Sequence, residues 1–96
     1  MNRRLYITLA DNQELRSRIL VEEEVYAPCD DSFLLEGNIR IREGSYVLDM
    51  GTGSGIQAIK AAQLGGRRII AIDINPHASR CALRNVRLNG LKTWIS

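Results

Sequence analysis

Two acids and three closely spaced glycines are the residues of this chain best suited to chemistry. Asp49 ends a short apolar segment, and Gly51, Gly53 and Gly55 follow it at alternate positions. Asp73 ends the next apolar segment. Glycine lets a ligand approach the main chain closely, while a carboxylate can accept hydrogen bonds from ribose hydroxyls or face a cation. These residues therefore predict a small-molecule site built from main chain and acids.

The segments around these residues alternate between strand and helix patterns. Apolar runs predict buried strands at residues 46–50 and 69–72, helical periodicity predicts helices at residues 56–64 and 76–88, and a third strand begins within residues 91–95. Short connections between buried strands are typical of a right-handed parallel α/β unit. We expect a partial Rossmann-like sheet in which the acids and the glycines meet at the carboxyl ends of the strands.

The first 45 residues are predicted to be an N-terminal extension, and residues 46–96 to be the α/β half-domain. Residues 4–9 and 16–21 are rich in strand-forming residues and predict a β-hairpin joined by residues 10–15. A short helix is expected around residues 33–35. Its candidate N-caps are Asp30, Asp31 and Ser32.

Size, charge and cysteine content exclude several classes of protein. The chain has 96 residues, enough for one small domain, and its net charge of +2 is too weak to indicate nucleic-acid binding by itself. Cys29, Cys81 and His77 lack the spacing of a zinc site, so we expect no metal and reduced thiols in the cytoplasm. No segment has the pattern of a membrane span or a signal peptide.

The glycine loop lacks part of the dinucleotide-binding fingerprint, and this narrows the choice of ligand. The dinucleotide fingerprint G-x-G-x-x-G requires glycine where this chain has Ile56, and Asp49 would sit poorly beside a pyrophosphate. Asp73 suits a ribose, whereas Asp49 suits a cationic end. S-adenosylmethionine has a ribose and a cation but no phosphate, so it is the predicted cofactor. A dinucleotide-binding oxidoreductase fragment and a non-catalytic interaction module stay open as alternatives.

The same residues resemble a known family. Residues 49–55 are similar to the first motif of class I S-adenosylmethionine-dependent methyltransferases, and residues 73–76 to their ribose-binding second motif. Residues 26–35 resemble the segment before the core in HemK-like release-factor glutamine methyltransferases. This resemblance implies N-methylation of a glutamine side chain in a protein such as a translation release factor. Methyltransferases of tRNA and of ribosomal proteins share the first two motifs and remain alternatives.

The resemblance also implies which residues bind the cofactor. The implied set is Asp49, Gly51, Thr52, Gly53, Gly55, Asp73, Ile74, Tyr26, Pro28 and Asp31. The glycines and Asp49 would surround the methionine part, Asp73 would bind the ribose, and Ile74 would contact the adenine. Tyr26, Pro28 and Asp31 would help to cover the pocket.

The resemblance is incomplete in the part that selects the substrate. HemK-like enzymes hold the substrate amide with an Asn-Pro-Pro-Tyr motif after their fourth strand, and this sequence has no such motif. Asn75 and Pro76 are not equivalent, because they lie at the start of a helix. We therefore expect a cofactor-binding half that has no catalytic residue and is inactive alone. The strand at residues 46–50 would keep an open edge, to be covered by the rest of a longer chain or by a partner chain.

Overall fold

A computed structural model describes the backbone of residues 4–11, 14–22, 25, 28–91 and 94–95, with side chains at 18–21, 25, 28–29 and 32–91. The elements are β1 (Arg4–Asp11), β2 (Glu14–Glu22), α1 (Asp30–Asn38), β3 (Tyr46–Met50), α2 (Ile56–Gln63), β4 (Arg68–Ile72), α3 (Pro76–Leu88) and β5 (Trp94–Ile95). The predicted α/β class and its order of strands and helices are confirmed.

A parallel sheet with the order β3-β4-β5 forms the frame of the site. Its register pairs Val47 with Ile69 and Asp49 with Ala71, so β3 and β4 end at the same edge of the sheet. Within the described residues, β4 is the only neighbour of β3, and the other edge of β3 is unpaired. This is the open edge that the sequence predicts.

The N-terminal strands form the predicted hairpin, but the predicted connection was too long. The antiparallel pairing continues from Arg4 opposite Glu22 to Asp11 opposite Glu14, so only residues 12–13 lie between the strands. A register shift between Leu9 and Ala10 interrupts the ladder there. An irregularity of this kind breaks the alternation of side chains between faces, and the sequence pattern therefore indicates a loop where the strand continues.

The first helix is longer than predicted, and its predicted cap was wrong. Cys29 is the N-cap, in an extended conformation, and the helix already begins at Asp30. The Cys29 N–H donates to the Ser32 hydroxyl over 3.2 Å. Ser32 thus stabilises the helix start from its third position and is not the capping residue itself.

Helices α2 and α3 end just before the glycines that predict their ends. At the end of α2, the Gly66 N–H donates to the Ala61 carbonyl and the Gly65 N–H donates to the Ala62 carbonyl. Gly65 has a φ of 99°, which only glycine adopts readily. Helix α3 begins with Pro76 and ends at Leu88, as predicted, and its N-cap Asn75 accepts a hydrogen bond from the His77 N–H.

The hydrophobic core lies on one face of the sheet, beneath α2 and α3. One cluster joins the hairpin side to the helices, and its members are Ile19, Val21, Val25, Ile59, Ala78, Cys81 and Val86. A second joins α2 to the sheet through Ala58, Ala61, Ile69 and Ala71. The hairpin and the α/β unit therefore share buried surface, and a division at residue 45 stays a prediction.

The opposite face of the sheet carries exposed apolar side chains. Tyr46, Leu48, Met50 and Ile70 are exposed there, and the Arg68 guanidinium lies 5.8 Å from the centre of the Tyr46 ring. In the described part of the chain, every helix falls short of the length and apolarity needed to cross a membrane.

Candidate functional site

The glycine-rich loop, residues 51–55, folds back over the carboxyl ends of β3 and β4. The N–H groups of Gly51 and Thr52 both donate to the Ile72 carbonyl, over 2.8 and 2.9 Å, which extends the β3–β4 pairing into the loop. The Gly55 N–H then closes a turn onto the Thr52 carbonyl over 2.8 Å. These main-chain hydrogen bonds attach the start of the loop to the end of β4 and close a turn at Gly55.

Asp73 lies directly against this loop, as its place at the end of β4 predicts. One carboxylate oxygen accepts a hydrogen bond from the Gly53 N–H over 2.9 Å, and the other accepts one from the Asn75 N–H over 2.9 Å. A carboxylate oxygen can accept two hydrogen bonds, so each retains the capacity for one more. The Asp73 carboxylate is thus held rigidly and can still bind hydroxyl groups.

Asp49 has different surroundings from Asp73. Its carboxylate accepts a hydrogen bond from the Thr52 hydroxyl over 2.8 Å. Burial raises the pKa of the Asp49 carboxyl above its ordinary value of 3.8, and the nearby Asp73 carboxylate acts in the same direction. Hydrogen bonds from the Thr52 hydroxyl and the Ala58 main chain lower the pKa in part. Asp49 is therefore partly satisfied by the loop itself.

Two neighbouring depressions meet at Asp73. The first is a cleft of about 390 Å³, and its polar lining includes Asp49, Thr52, Ser32 and Gln57. The second is a hollow of about 550 Å³, lined by Met50, Gly51, Ile72, Asp73 and Ile74. Both volumes are in the range of small-molecule sites. Because Met50, Gly51 and Asp73 line both, the two depressions can hold different parts of one ligand.

The three glycines of the loop do not play the same part. A Cβ atom added at Gly53 would meet nothing within 4 Å, although its φ of 55° is unfavourable for other residues. A Cβ atom at Gly55 would lie 3.1 Å from the Cβ of Ala82 in α3. Gly51 and Gly53 therefore leave space beside the main chain, whereas Gly55 permits close packing of α3 against the loop.

The remaining predicted site residues fall in three groups. Pro28 lines the polar cleft, and Ile74 lines the apolar hollow, where it is fully exposed. Tyr26 lies outside the described residues. The backbone of Asp31 lies in α1, but its side chain also falls outside the described part of the chain.

Sequence reasoning missed the polar side chains that support the loop. The Gln57 side chain donates to the Ser32 carbonyl over 2.9 Å and so joins α2 to α1 beside the cleft. Its Oε1 atom is buried without a hydrogen-bond partner among the described residues. Asn85 is fully buried in α3 and bonds to Ser54 of the loop. The available signal for Asn85 was its place on the apolar side of α3, in line with Ala78 and Cys81.

Metal ligation finds no support in this part of the chain. No group of three or more His, Cys, Asp or Glu side chains that could hold a metal ion occurs among the residues the structure describes.

Comparisons with known proteins agree with this geometry. The sequence model of the ribosomal protein L11 methyltransferase (PrmA) family matches residues 33–96. A candidate protein N5-glutamine methyltransferase of Methanocaldococcus jannaschii is 36% identical over 74 residues, which are 77% of this chain and 38% of that protein. The ribosomal protein L11 methyltransferase of Citrifermentans bemidjiense is 53% identical over 52 residues, which are 54% of this chain and 17% of that protein.

A solved structure superposes on part of this chain. The ribosomal protein L11 methylase of Lactobacillus delbrueckii subsp. bulgaricus superposes with a TM-score of 0.53 at 37% identity, over 62% of this chain and 30% of that one. This chain thus spans a minor part of each of these relatives. The family match includes the glycine loop and both acids, so the class predicted from the two motifs is confirmed. The chain belongs to the ribosomal protein L11 methyltransferase (PrmA) family.

Proposed function

We propose that this chain binds S-adenosylmethionine at Asp73 and forms the cofactor-binding part of a protein methyltransferase. The observation that carries the proposal is the position of the Asp73 carboxylate. Hydrogen bonds from Gly53 and Asn75 hold it at the junction of a polar cleft and an apolar hollow. A ligand with a charged end, a ribose and an apolar base would place these parts in the cleft, at the Asp73 carboxylate and in the hollow, in that order.

The residues fit the parts of S-adenosylmethionine in turn. The remaining acceptor capacity of Asp73 suits the two ribose hydroxyls, and Met50 and Ile74 offer apolar surface to the adenine. Asp49 and Asp73 give the cleft a negative potential that attracts the ammonium and the sulfonium. The space beside Gly51 and Gly53 lets the methionine part approach the main chain. The cofactor would supply a methyl group made electrophilic by the sulfonium.

A protein side chain is the proposed methyl acceptor. The names of the reported relatives refer to methylation of proteins, in one case of a glutamine and in two cases of ribosomal protein L11. The match to the glutamine methyltransferase covers 77% of this chain, against 54% for the L11 enzyme. We favour a glutamine in a protein such as a translation release factor, and L11 is the second candidate. Either substrate would place the protein in the cytoplasm.

The unpaired edge of β3 supports the proposal that further protein completes the enzyme. A parallel strand with strong apolar character is normally paired on both sides and covered on both faces. Either a further part of a longer chain or a partner chain would fill this position and would supply the groups that bind the substrate.

Calorimetric titration with S-adenosylmethionine, repeated with NADH, tests the cofactor. We expect S-adenosylmethionine alone to bind. Asp73→Ala should weaken its binding by at least ~1.5 kcal/mol, or about tenfold, because a charge-assisted hydrogen bond is lost. Glu43→Gln is the control for the loss of one negative charge, since Glu43 is exposed and lines neither the cleft nor the hollow. Unchanged affinity in Asp73→Ala, or binding of NADH alone, would contradict the proposal.

Methyl transfer distinguishes the two substrates. A release factor and ribosomal protein L11 would each be incubated with the complete enzyme, including the protein that pairs with β3, and with cofactor labelled in its methyl group. Label that enters L11 alone would exclude the glutamine assignment and would leave cofactor binding unaffected.

A further inference from the structure

We propose that Asn85 is a positioning residue, which holds the glycine-rich loop in the conformation that binds the cofactor. The inference rests on the proposed function, since it assumes that this loop contacts S-adenosylmethionine. Asn85 itself lies behind the loop, in α3, and is fully buried. It would therefore act on binding through the loop and not by touching the ligand.

Both polar atoms of the Asn85 side chain are hydrogen-bonded, and both of its amide protons are used. Its Oδ1 atom accepts from the Leu20 N–H over 2.6 Å. Its Nδ2 atom donates to the Leu20 carbonyl and to the Ser54 carbonyl, each over 2.7 Å. A buried amide stabilises a structure when all its groups are paired, and it is costly when they are not. This one side chain therefore connects the hairpin, α3 and the glycine-rich loop.

The loop is held by α3 at two adjacent residues. Ser54 is buried and has its carbonyl bonded to Asn85, while Gly55 packs against Ala82, which precedes Asn85 by about one helical turn. On its other side, the loop is bonded to Asp73 through the Gly53 N–H. Without Asn85, the Ser54 carbonyl would be buried without this donor. The loop would then reorient, and Gly53 would no longer face Asp73 correctly.

Asn89 provides a natural control for this role. It lies one turn after Asn85, accepts from the Arg18 N–H over 2.8 Å and donates to the Arg18 carbonyl over 2.7 Å. Asn85 and Asn89 thus bind alternate residues of β2 in the same way, as a neighbouring strand would. Asn85 differs in its bond to the loop. Comparing the two variants separates support of the hairpin from support of the loop.

Amide hydrogen exchange of the unliganded chain gives the first readout. In Asn85→Ala, exchange at Gly53 and Gly55 should be about tenfold faster than in the unsubstituted chain, after correction for any change in global stability. In Asn89→Ala, exchange at these two positions should be unchanged after the same correction. Equal exchange in both variants would overturn the inference, because Asn85 would then support only the hairpin.

Cofactor affinity gives the second readout. S-adenosylmethionine should bind about tenfold more weakly to Asn85→Ala and within about twofold of normal to Asn89→Ala. If the unsubstituted chain fails to bind, the proposed function fails, while the exchange measurement still decides the role of Asn85. If Asn85→Ala changes the exchange of the loop but not the affinity, the inference is overturned and the proposed function stands.

A third measurement applies if Asn85→Ala does not fold. In the unsubstituted chain, both side-chain amide protons of Asn85 should exchange slowly by nuclear magnetic resonance, because one is bonded to Leu20 and the other to Ser54. Rapid exchange of the proton that faces Ser54 would overturn the inference without any substitution.

Discussion

The two faces of the three-stranded sheet are similar in composition but differ in their surroundings. On one face, Ile69 is 2% exposed beneath α2 and α3. On the other face, the adjacent Ile70 is 40% exposed, next to the exposed Leu48 and Met50. Strands that are apolar on both faces are typical of parallel sheets covered on both sides. The composition of β3 and β4 thus suits burial of both faces, while the described residues cover only one.

The two sides of the sheet also differ in polarity at the carboxyl ends of the strands. The cleft on the side of the loop and α2 is lined by polar groups such as Asp49 and Thr52, whereas the hollow beside Met50, Ile72 and Ile74 is mainly apolar. Asp73 lines both. The covered side supplies hydrogen-bonding groups and the bare side supplies apolar surface. A ligand with one polar and one apolar part can therefore contact both sides.

The largest effect is expected from truncating a side chain on the covered face. Ile69→Ala should lower the free energy of unfolding by about 2–5 kcal/mol, because it leaves a cavity in the core. Ile70→Ala is the matched control on the bare face and should cost only about 1–1.5 kcal/mol, because its side chain is 40% exposed. Urea denaturation measures both. Equal losses would mean that the bare face is buried in solution, which a series of protein concentrations would reveal.

A somewhat smaller loss is expected where the loop meets α3. Gly55 has a φ of 89° and lies close to Ala82. Gly55→Ala should therefore lower the free energy of unfolding by about 2–4 kcal/mol. Gly53→Ala also has a positive φ but opens onto free space, and it should cost about 1–2 kcal/mol from backbone strain alone. If urea denaturation ranks Gly53→Ala as the more harmful change, the loop does not pack on α3 as described.

The acid on the covered side of β3 should make stability depend on pH. Because the folded protein raises the pKa of Asp49, it binds this proton more readily than the unfolded chain does. The ionised carboxylate therefore lowers stability above the raised pKa, and this penalty disappears below the ordinary value of 3.8. Asp49→Asn removes this penalty. The free energy of unfolding of Asp49→Asn minus that of the unsubstituted protein should therefore be larger at neutral pH than at acid pH.

Urea denaturation over a pH series measures this difference for Asp49→Asn. Glu43→Gln, which neutralises an exposed acid, controls for the loss of one negative charge. A difference between Asp49→Asn and the unsubstituted protein that grows as the pH falls would show that hydrogen bonds, and not burial, dominate at Asp49.

The smallest effect on stability is expected at the edge of the bare hollow. Ile74 is fully exposed, so Ile74→Ser should change the free energy of unfolding by less than about 0.5 kcal/mol. Binding of S-adenosylmethionine should nevertheless weaken about three- to tenfold, since apolar contact with the adenine is lost. Calorimetry provides the test. An unchanged affinity would place the adenine elsewhere and would leave the ribose contact with Asp73 to be judged separately.

Much of the frame could be predicted because its signals are local. Apolar runs mark β3 and β4, Pro76 fits the first position of α3, and the glycines after α2 and α3 adopt the positive φ that ends a helix. The meeting of Asp73 with the loop follows from the rule that parallel strands present their carboxyl ends at one edge.

The rest depends on contacts between distant parts of the chain. Asn85 is 65 positions from its partner Leu20, and neither residue carries a local mark of that pairing. The irregularity at Leu9 and Ala10 shows only in the register between two strands. Cys29 is an unusual N-cap, and its role becomes visible only through its bond to Ser32.

The hydrogen bonds that Asn85 and Asn89 of α3 make to the main chain of β2 have a consequence for the order of folding. The hairpin can pair early because its own contacts are local, but the partners of Arg18 and Leu20 come from residues that are synthesised 65 to 71 positions later. Until Asn85 and Asn89 have been synthesised, we expect the main-chain groups of Arg18 and Leu20 at the outer edge of β2 to be open to pairing with other chains. We therefore expect the two asparagines to protect this edge of the hairpin from pairing with other chains once they bind it.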